Sequence, residues 1–129
     1  MEVIKSSRDL EVYKLALNEA RNIFLISRKF PKEEAYSLTN QMRRSSRSVN
    51  ALIAESWARR RYKAAFVNKI NEAPGEAMEM QAWLDHALKC EYLEVKLCQE
   101  LDNAWQRIGA LLNRMIQRAD DFCPCERKN

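Results

Sequence analysis

Residues 66–87 read FVNKINEAPGEAMEMQAWLDHA. Within them Phe66, Ile70, Ala73, Ala77, Met80, Leu84 and Ala87 recur at alternating steps of four and three. That spacing lines one face of an α-helix, because successive residues turn by about 100°. Sustained 3-4 spacing also makes helices pack at shallow angles, as in a bundle. Pro74 and Gly75 fall inside the stretch. A proline in a helix interior removes a backbone hydrogen bond and costs about 3 kcal/mol. The apolar register nevertheless runs through it unshifted, which predicts a kinked helix rather than a loop.

The same pattern recurs on both sides. Upstream, Leu38, Met42, Ser45, Val49, Leu52 and Ser56 form a second stripe, with Ser37 or Thr39 as its cap. Further upstream, Leu10, Tyr13, Leu17, Ala20 and Phe24 form another, widened by Ala16 and Ile23. Ser6, Ser7 or Asp9 can start it, and Pro31 ends it. Downstream, Leu97, Leu101, Ala104, Ile108, Leu111 and Met115 repeat the theme, flanked by Trp105 and Leu112. No stretch alternates as a strand would. Short connections near residues 30–37, 60–63 and 90–96 force neighbouring helices to run antiparallel. The prediction is an all-α, up-down-up-down antiparallel four-helix bundle over residues 1–118. Periodicity lapses after that, so residues 119–129 read as a frayed or disordered tail.

Composition supports this and excludes other classes. The 129 residues are 47% hydrophobic and 31% charged, with only 2 Gly and 3 Pro. An all-β domain needs more turn residues than that. Gly75 and Gly109 alone cannot build a glycine-rich phosphate loop. The single histidine, His86, rules out chemistry that needs a His pair, and Trp83 stands three residues before it where a di-metal bundle would place Glu. The expectation is therefore a protein that is not an enzyme and uses no cofactor. No secretory or membrane-spanning segment is visible, which points to the cytoplasm and to reduced cysteines. Charge is segregated: residues 35–71 hold eight Lys/Arg against one Asp/Glu, and residues 72–102 hold two against eight.

Several motifs follow one another in order: Arg8-Asp9-Leu10-Glu11-Val12-Tyr13, Phe30-Pro31-Lys32-Glu33-Glu34, Tyr36-Ser37-Leu38-Thr39, Gln41-Met42-Arg43-Arg44, Ile53-Ala54-Glu55, Arg59-Arg60, Phe66, Gly75, Glu79, Leu84 and Glu91-Tyr92-Leu93. In this order the chain resembles the four-helix-bundle family encoded in intervening sequences of bacterial 23S ribosomal RNA genes. Accessory variability determinant proteins of diversity-generating retroelements share that fold. The resemblance implies assembly into a homopentamer. For the retroelement relatives it also implies a basic surface that binds nucleic acid and a reverse-transcriptase partner. The chain departs from the family pattern at Ser56, where Gly usually follows Ile-Ala-Glu. It also lacks a Pro in the middle of the residue 38–56 stretch, where it reads Ser48-Val49-Asn50-Ala51, and it interrupts the residue 66–87 stretch with Pro74-Gly75.

The basic segment supplies the candidate nucleic-acid contacts: Arg43, Arg44, Arg47, Arg59, Arg60, Arg61 and Lys63. On a helical wheel Arg47 points away from the stripe. Arg43 and Arg61 lie about 140° from the stripe on one side and Arg44 about 120° on the other. Guanidinium forks suit phosphate oxygens. The competing use is pairing with the acidic segment, within the bundle or across a subunit boundary. Asn50 and Ala54 face outward and, with Glu55 and Trp57, are candidate oligomer contacts. Plain helix surface is the alternative for them. Trp57, Trp83 and Trp105 are better read as packing anchors than as base-stacking platforms. His86 and Cys90 share a helix face, and Cys123 and Cys125 could add thiols, but the C-x-C spacing argues against a metal site. The expected function is binding of nucleic acid, chiefly structured RNA, through phosphate contacts by a homo-oligomer. The alternatives are an adaptor for a protein such as a reverse transcriptase, and a purely structural assembly.

Overall fold

Ser6 caps the first turn by accepting the Arg8 N–H on its side chain, while Asp9 accepts the Ser6 and Lys5 N–H groups in return. These backbone donors hold the Asp9 carboxyl below its usual range. The computed structural model describes residues 4–124. Beyond a 3-10 turn at Ser7–Asp9 run α1 (Glu11–Ser27), a second 3-10 turn (Lys32–Glu34), α2 (Leu38–Trp57), α3 (Lys63–Ile70), α4 (Ala73–Lys89), α5 (Val95–Gln117) and α6 (Ala119–Phe122). No strand occurs among the described residues. No helix among them is long and apolar enough to cross a membrane.

The chain is a helical bundle in which α1 packs on α2, α2 on α3 and α4, α4 on α5, and α5 back on α1. Two contacts fix its ends. The Phe30 and Tyr92 rings meet at 5.3 Å, joining the α1–α2 and α4–α5 connections. At the other end Lys63 pairs with Asp120 at 2.7 Å, joining the start of α3 to α6. The long helices therefore alternate in direction.

The deciding stretch is almost wholly as expected. Phe66, Ile70, Ala73, Ala77, Met80, Leu84 and Ala87 are all buried. The hydrogen-bond ladder breaks into α3 and α4, but Asn71 (φ −62°, ψ −16°) and Glu72 (φ −78°, ψ −24°) keep helical dihedrals. Pro74 falls in the first turn of α4, where its missing N–H would have had no partner anyway. The α2 stripe also holds: Leu38, Met42, Ser45, Val49, Leu52 and Ser56 are buried. The Ser45 and Ser56 hydroxyls donate back to Gln41 and Ile53 carbonyls at 2.8 Å, so neither is left unpaired.

Three expectations are corrected. Along α1 and its N-cap the expected Leu10, Ala16, Ala20 and Ile23 are buried, but the seam is centred on Val12, Ala16, Ala20, Ile23 and Ser27, so Tyr13 and Phe24 are only half-buried and Leu17 is 55% exposed. In α5 the seam runs through Cys98, Leu101, Trp105, Ile108, Leu112 and Met115, so Leu97 gives way to Cys98 and Ala104 to Trp105. Residues 119–123 are not a frayed tail. Ala119 and Cys123 are buried, and the Phe122 ring lies 5.9 Å from Trp57 and 6.3 Å from Phe66. An aromatic anchor supplies what periodicity does not over so short a segment. Residues 125–129 of the expected tail lie outside the described residues.

The connection after α4 carries a strained residue. Glu91 has φ 64°. Its N–H donates to the Leu88 carbonyl and the Tyr92 N–H to the Ala87 carbonyl, both at 2.9 Å, which is a Schellman termination. Side chains disfavour this left-handed backbone by roughly 1–2 kcal/mol, and glycine does not. Glu91→Gly is expected to stabilise the fold by about 1 kcal/mol, after the greater freedom of glycine in the unfolded chain is deducted. Urea melts of the two proteins at equal protomer concentration check this. An unchanged or lower midpoint would show that the termination is relaxed with Glu.

Glu34 ties the same end together. One carboxylate oxygen accepts the Ser37 hydroxyl at 2.6 Å and the Leu38 N–H at 3.3 Å, so Glu34 caps α2 while Ser37 donates to it. The other accepts the Tyr92 hydroxyl at 2.8 Å. Hydrogen bonds from Ser37 and Tyr92 hold the Glu34 carboxyl below its ordinary 4.5. The bond to Glu34 pushes the Tyr92 phenol up to about 12 from 10.0. Both shifts favour ionised Glu34 with neutral Tyr92 in the folded state. The Glu34 contribution is present above its unfolded value and is lost as pH falls through its lowered one. The Tyr92 contribution is full below pH 10.0 and is lost as pH rises toward 12. Tyr92→Phe is therefore expected to lower Tm by a few degrees at neutral pH. That difference shrinks in acid below the Glu34 range and above about pH 10 in base. A difference in Tm that stays constant from pH 3 to 11 would count against the link.

Candidate nucleic-acid interface

The seven basic residues expected to act together are divided by the fold. Arg44 turns toward α4. It donates to Glu76 at 3.2 Å and pairs closely with Glu79, which also accepts the Trp83 indole N–H at 3.0 Å. Its positive charge is balanced within the subunit, at the surface between α2 and α4. Arg60 lies with its guanidinium 3.8 Å over the Trp57 ring and donates to the Trp57 and Phe122 carbonyls. It serves as a clamp on the end of α2. Lys63 is held by Asp120. Arg59 and Arg61 are exposed at the α2–α3 turn.

Arg43 and Arg47 occupy a different face, and there the structure adds a residue that the sequence reading missed. The last turn of α1 brings Phe24 up beside α2. Three guanidinium carbons surround that ring: Arg43 at 4.8 Å from the centroid, and Arg28 and Arg47 each at 5.7 Å. Arg43 is fixed further by donating from Nε to the Ser27 hydroxyl at 2.9 Å, and that hydroxyl donates to the Phe24 carbonyl at 3.1 Å. No carboxylate pairs with any of the three among the described residues. Arg28 follows the end of α1, outside the basic segment, so no local charge count would assign it to this cluster. A cation over an exposed ring gains roughly 0.5–1 kcal/mol. Three cations on one ring also repel one another, and an anion placed between them turns that repulsion into attraction.

Phe24 also forms one wall of a groove between α1 and α2, lined with Leu17, Ala20, Arg21, Arg47 and Asn50. The Asn50 amide donates to the Tyr13 carbonyl at 2.9 Å, and its oxygen is buried with no partner among the described residues. Arg21 adds a fourth cation to this side. The site can thus present several guanidinium forks to closely spaced phosphate oxygens beside an apolar strip.

The other candidates, all on α2, have different partners. Asn50 stitches α2 to α1. Ala54 is exposed. Glu55 pairs with Lys69 at 3.2 Å, which raises the Lys69 pKa, and Trp57 belongs to the aromatic group around Phe122. Asn50, Ala54 and Trp57 follow i, i+4, i+7 spacing along α2, and Glu55 lies off that line. Exposed apolar residues lie elsewhere: Leu17 and Leu25 on α1, and Val95 and Leu97 on α5. Trp105 is fully buried in the core. Cys90 and Cys98 are free thiols, Cys123 is buried, and burial pushes Cys98 up. No group of three or more metal-ligating side chains comes together among the described residues, and Cys125 lies outside them.

The family model for the 23S rRNA-intervening sequence protein matches residues 8–114. The chain is also similar to a crystal structure of a protein of unknown function from the S23 ribosomal protein family of Bacteroides thetaiotaomicron VPI-5482. The two share 27% identity over 82% of this chain and 95% of that one, with a TM-score of 0.73. No curated protein matches.

Proposed function

This chain belongs to the 23S rRNA-intervening sequence protein family, and from that premise we propose that it is a non-enzymatic, cytoplasmic homo-oligomer that binds structured RNA. The observation that carries this reading is the convergence of Arg28, Arg43 and Arg47 on Phe24 without a carboxylate partner among the described residues. Such a cluster is poised for polyanions. Binding of this kind works mainly through phosphates, with little base specificity and a steep dependence on salt. Assembly is supported by Leu17, Leu25, Val95 and Leu97, which leave apolar area on α1 and α5 uncovered in a single subunit. Repeating the cluster around an oligomer such as a pentamer raises its avidity for a long ligand.

Fluorescence anisotropy of a labelled RNA stem-loop over a salt series, with assembly mass recorded in each buffer, tests the reading. The expected result is micromolar or tighter binding from an intact oligomer, with log K falling linearly in log salt. The slope is set at roughly −0.7 to −0.9 per neutralised phosphate. An intact oligomer that binds nothing at low salt would overturn it. That result would shift the function to a protein partner, such as a reverse transcriptase, or to assembly alone.

A further inference from the structure

We propose that the turn between α2 and α3 is a separate contact for unpaired nucleotides, in which Tyr62 stacks on a base and Arg59 and Arg61 hold the adjoining phosphates. This rests on the RNA-binding reading above and adds a second site at the far end of α2.

The turn is well fixed. Arg59 N–H donates to the Ser56 carbonyl at 2.9 Å, Arg60 N–H to Trp57 at 3.3 Å and Tyr62 N–H to Arg59 at 3.1 Å. Arg60 is clamped over Trp57 and to the Phe122 carbonyl, and Lys63 is tied to Asp120. With those two cations anchored, Arg59 and Arg61 are left exposed on either side of Arg60. Neither side chain has a hydrogen bond or ion pair among the described residues. Tyr62 comes next and is 61% exposed, with no ring contact and no hydroxyl partner among the described residues. The Tyr62 ring is therefore open to a planar ligand, with no aromatic partner stacked on it among the described residues. An exposed aromatic ring directly after Arg61 and three residues after Arg59, on one short turn, suits single-stranded nucleic acid: any base can stack on the ring while cations follow the backbone. A duplex cannot use the ring, because its bases are already stacked, so the ligand is a loop, bulge or overhang. Arg59 stands 16 residues after Arg43 along α2 and the turn that follows it, roughly 24 Å at the helical rise. A stem on the Phe24 cluster could therefore place its loop at Tyr62.

Tyr36 provides an internal control. It is more exposed still, at 96%, but its neighbours are Glu33 and Glu34, which disfavour a polyanion. The test compares wild type, Tyr62→Ala, Tyr62→Phe and Tyr36→Ala against two labelled RNAs: a hairpin with an unpaired loop, and a blunt duplex of the same stem. Tyr62→Ala is expected to weaken hairpin binding by about 5-fold or more and to leave duplex binding unchanged. Tyr62→Phe and Tyr36→Ala should match wild type for both. Wild-type hairpin affinity in Tyr62→Ala, or an equal loss on the duplex, would overturn the proposal and leave the RNA-binding reading standing. Failure of the wild type to bind either RNA would overturn both.

Discussion

Changing Arg28, Arg43 and Arg47 together to Glu is expected to weaken binding of a structured RNA by roughly 100-fold or more at moderate salt. The same change should make the salt slope shallower by about 3, one for each phosphate no longer neutralised. The bundle should stay folded. The three side chains are not core residues, and what they give up is one hydrogen bond to Ser27 and the stacking of their guanidiniums on Phe24. Relief of repulsion among three like charges offsets part of that loss. Far-UV circular dichroism, Tm and assembly mass on the triple variant separate the possible results. Full RNA affinity in a folded oligomer would remove the Phe24 cluster from the function. Dissociation into monomers would show that the arginines serve subunit contacts. Arg44→Glu is the matched control. It breaks the pairing with Glu76 and Glu79 and should cost some stability, with a much smaller effect on RNA.

The presence of Arg28 in that variant shows where sequence reading reaches its limit. Helical spacing locates the α2 and α3–α4 stripes correctly, because each carries one continuous apolar face, with only isolated large apolar residues such as Met78 off it. α1 carries two. Leu17 and Phe24 are larger than Ala16 and Ile23, so periodicity favours the bulkier stripe, about 100° from the buried one. Apolarity alone cannot tell the face that enters a core from the face that meets a ligand or another subunit. The misread stripe is the one that holds Phe24, so the aromatic centre of the candidate site is hidden as expected core. Arg28 is then missed because it joins Arg43 and Arg47 only through tertiary packing of α1 on α2. Arg44 shows the converse. Its wheel position is right, but its partners, Glu76 and Glu79, become visible only when α4 is laid beside α2. The unbroken apolar register across Pro74 is legible, because Ile70 and Ala73 on one side stay in phase with Ala77 and Met80 on the other, but the break into α3 and α4 at Asn71–Glu72, which puts Pro74 in a first turn instead of a kinked interior, is not. The docking of α6 is not, since four residues carry no period.

The largest effect on stability should come from Trp105→Ala, at about 3–5 kcal/mol. Spacing places Trp105 on the flank of α5, yet it is among the largest fully buried side chains. A domain of this size is typically stable by only about 5–15 kcal/mol, so the variant should sit near the edge of folding. Its indole N–H is buried and has no partner among the described residues. Leaving such a donor unpaired costs about 1–3 kcal/mol. Trp105→Phe removes that donor and keeps an aromatic ring, while the smaller ring leaves some space unfilled. The two effects oppose each other, and Trp105→Phe is expected to lie within about 1 kcal/mol of wild type. Guanidinium melts at fixed protomer concentration, where assembly contributes equally to each protein, give both values. A loss below about 1 kcal/mol for Trp105→Ala would mean that α5 does not present this residue to the core. A loss for Trp105→Phe as large as for Trp105→Ala would mean that the indole N–H has a partner, so that the group holding it, and not ring volume, makes position 105 critical.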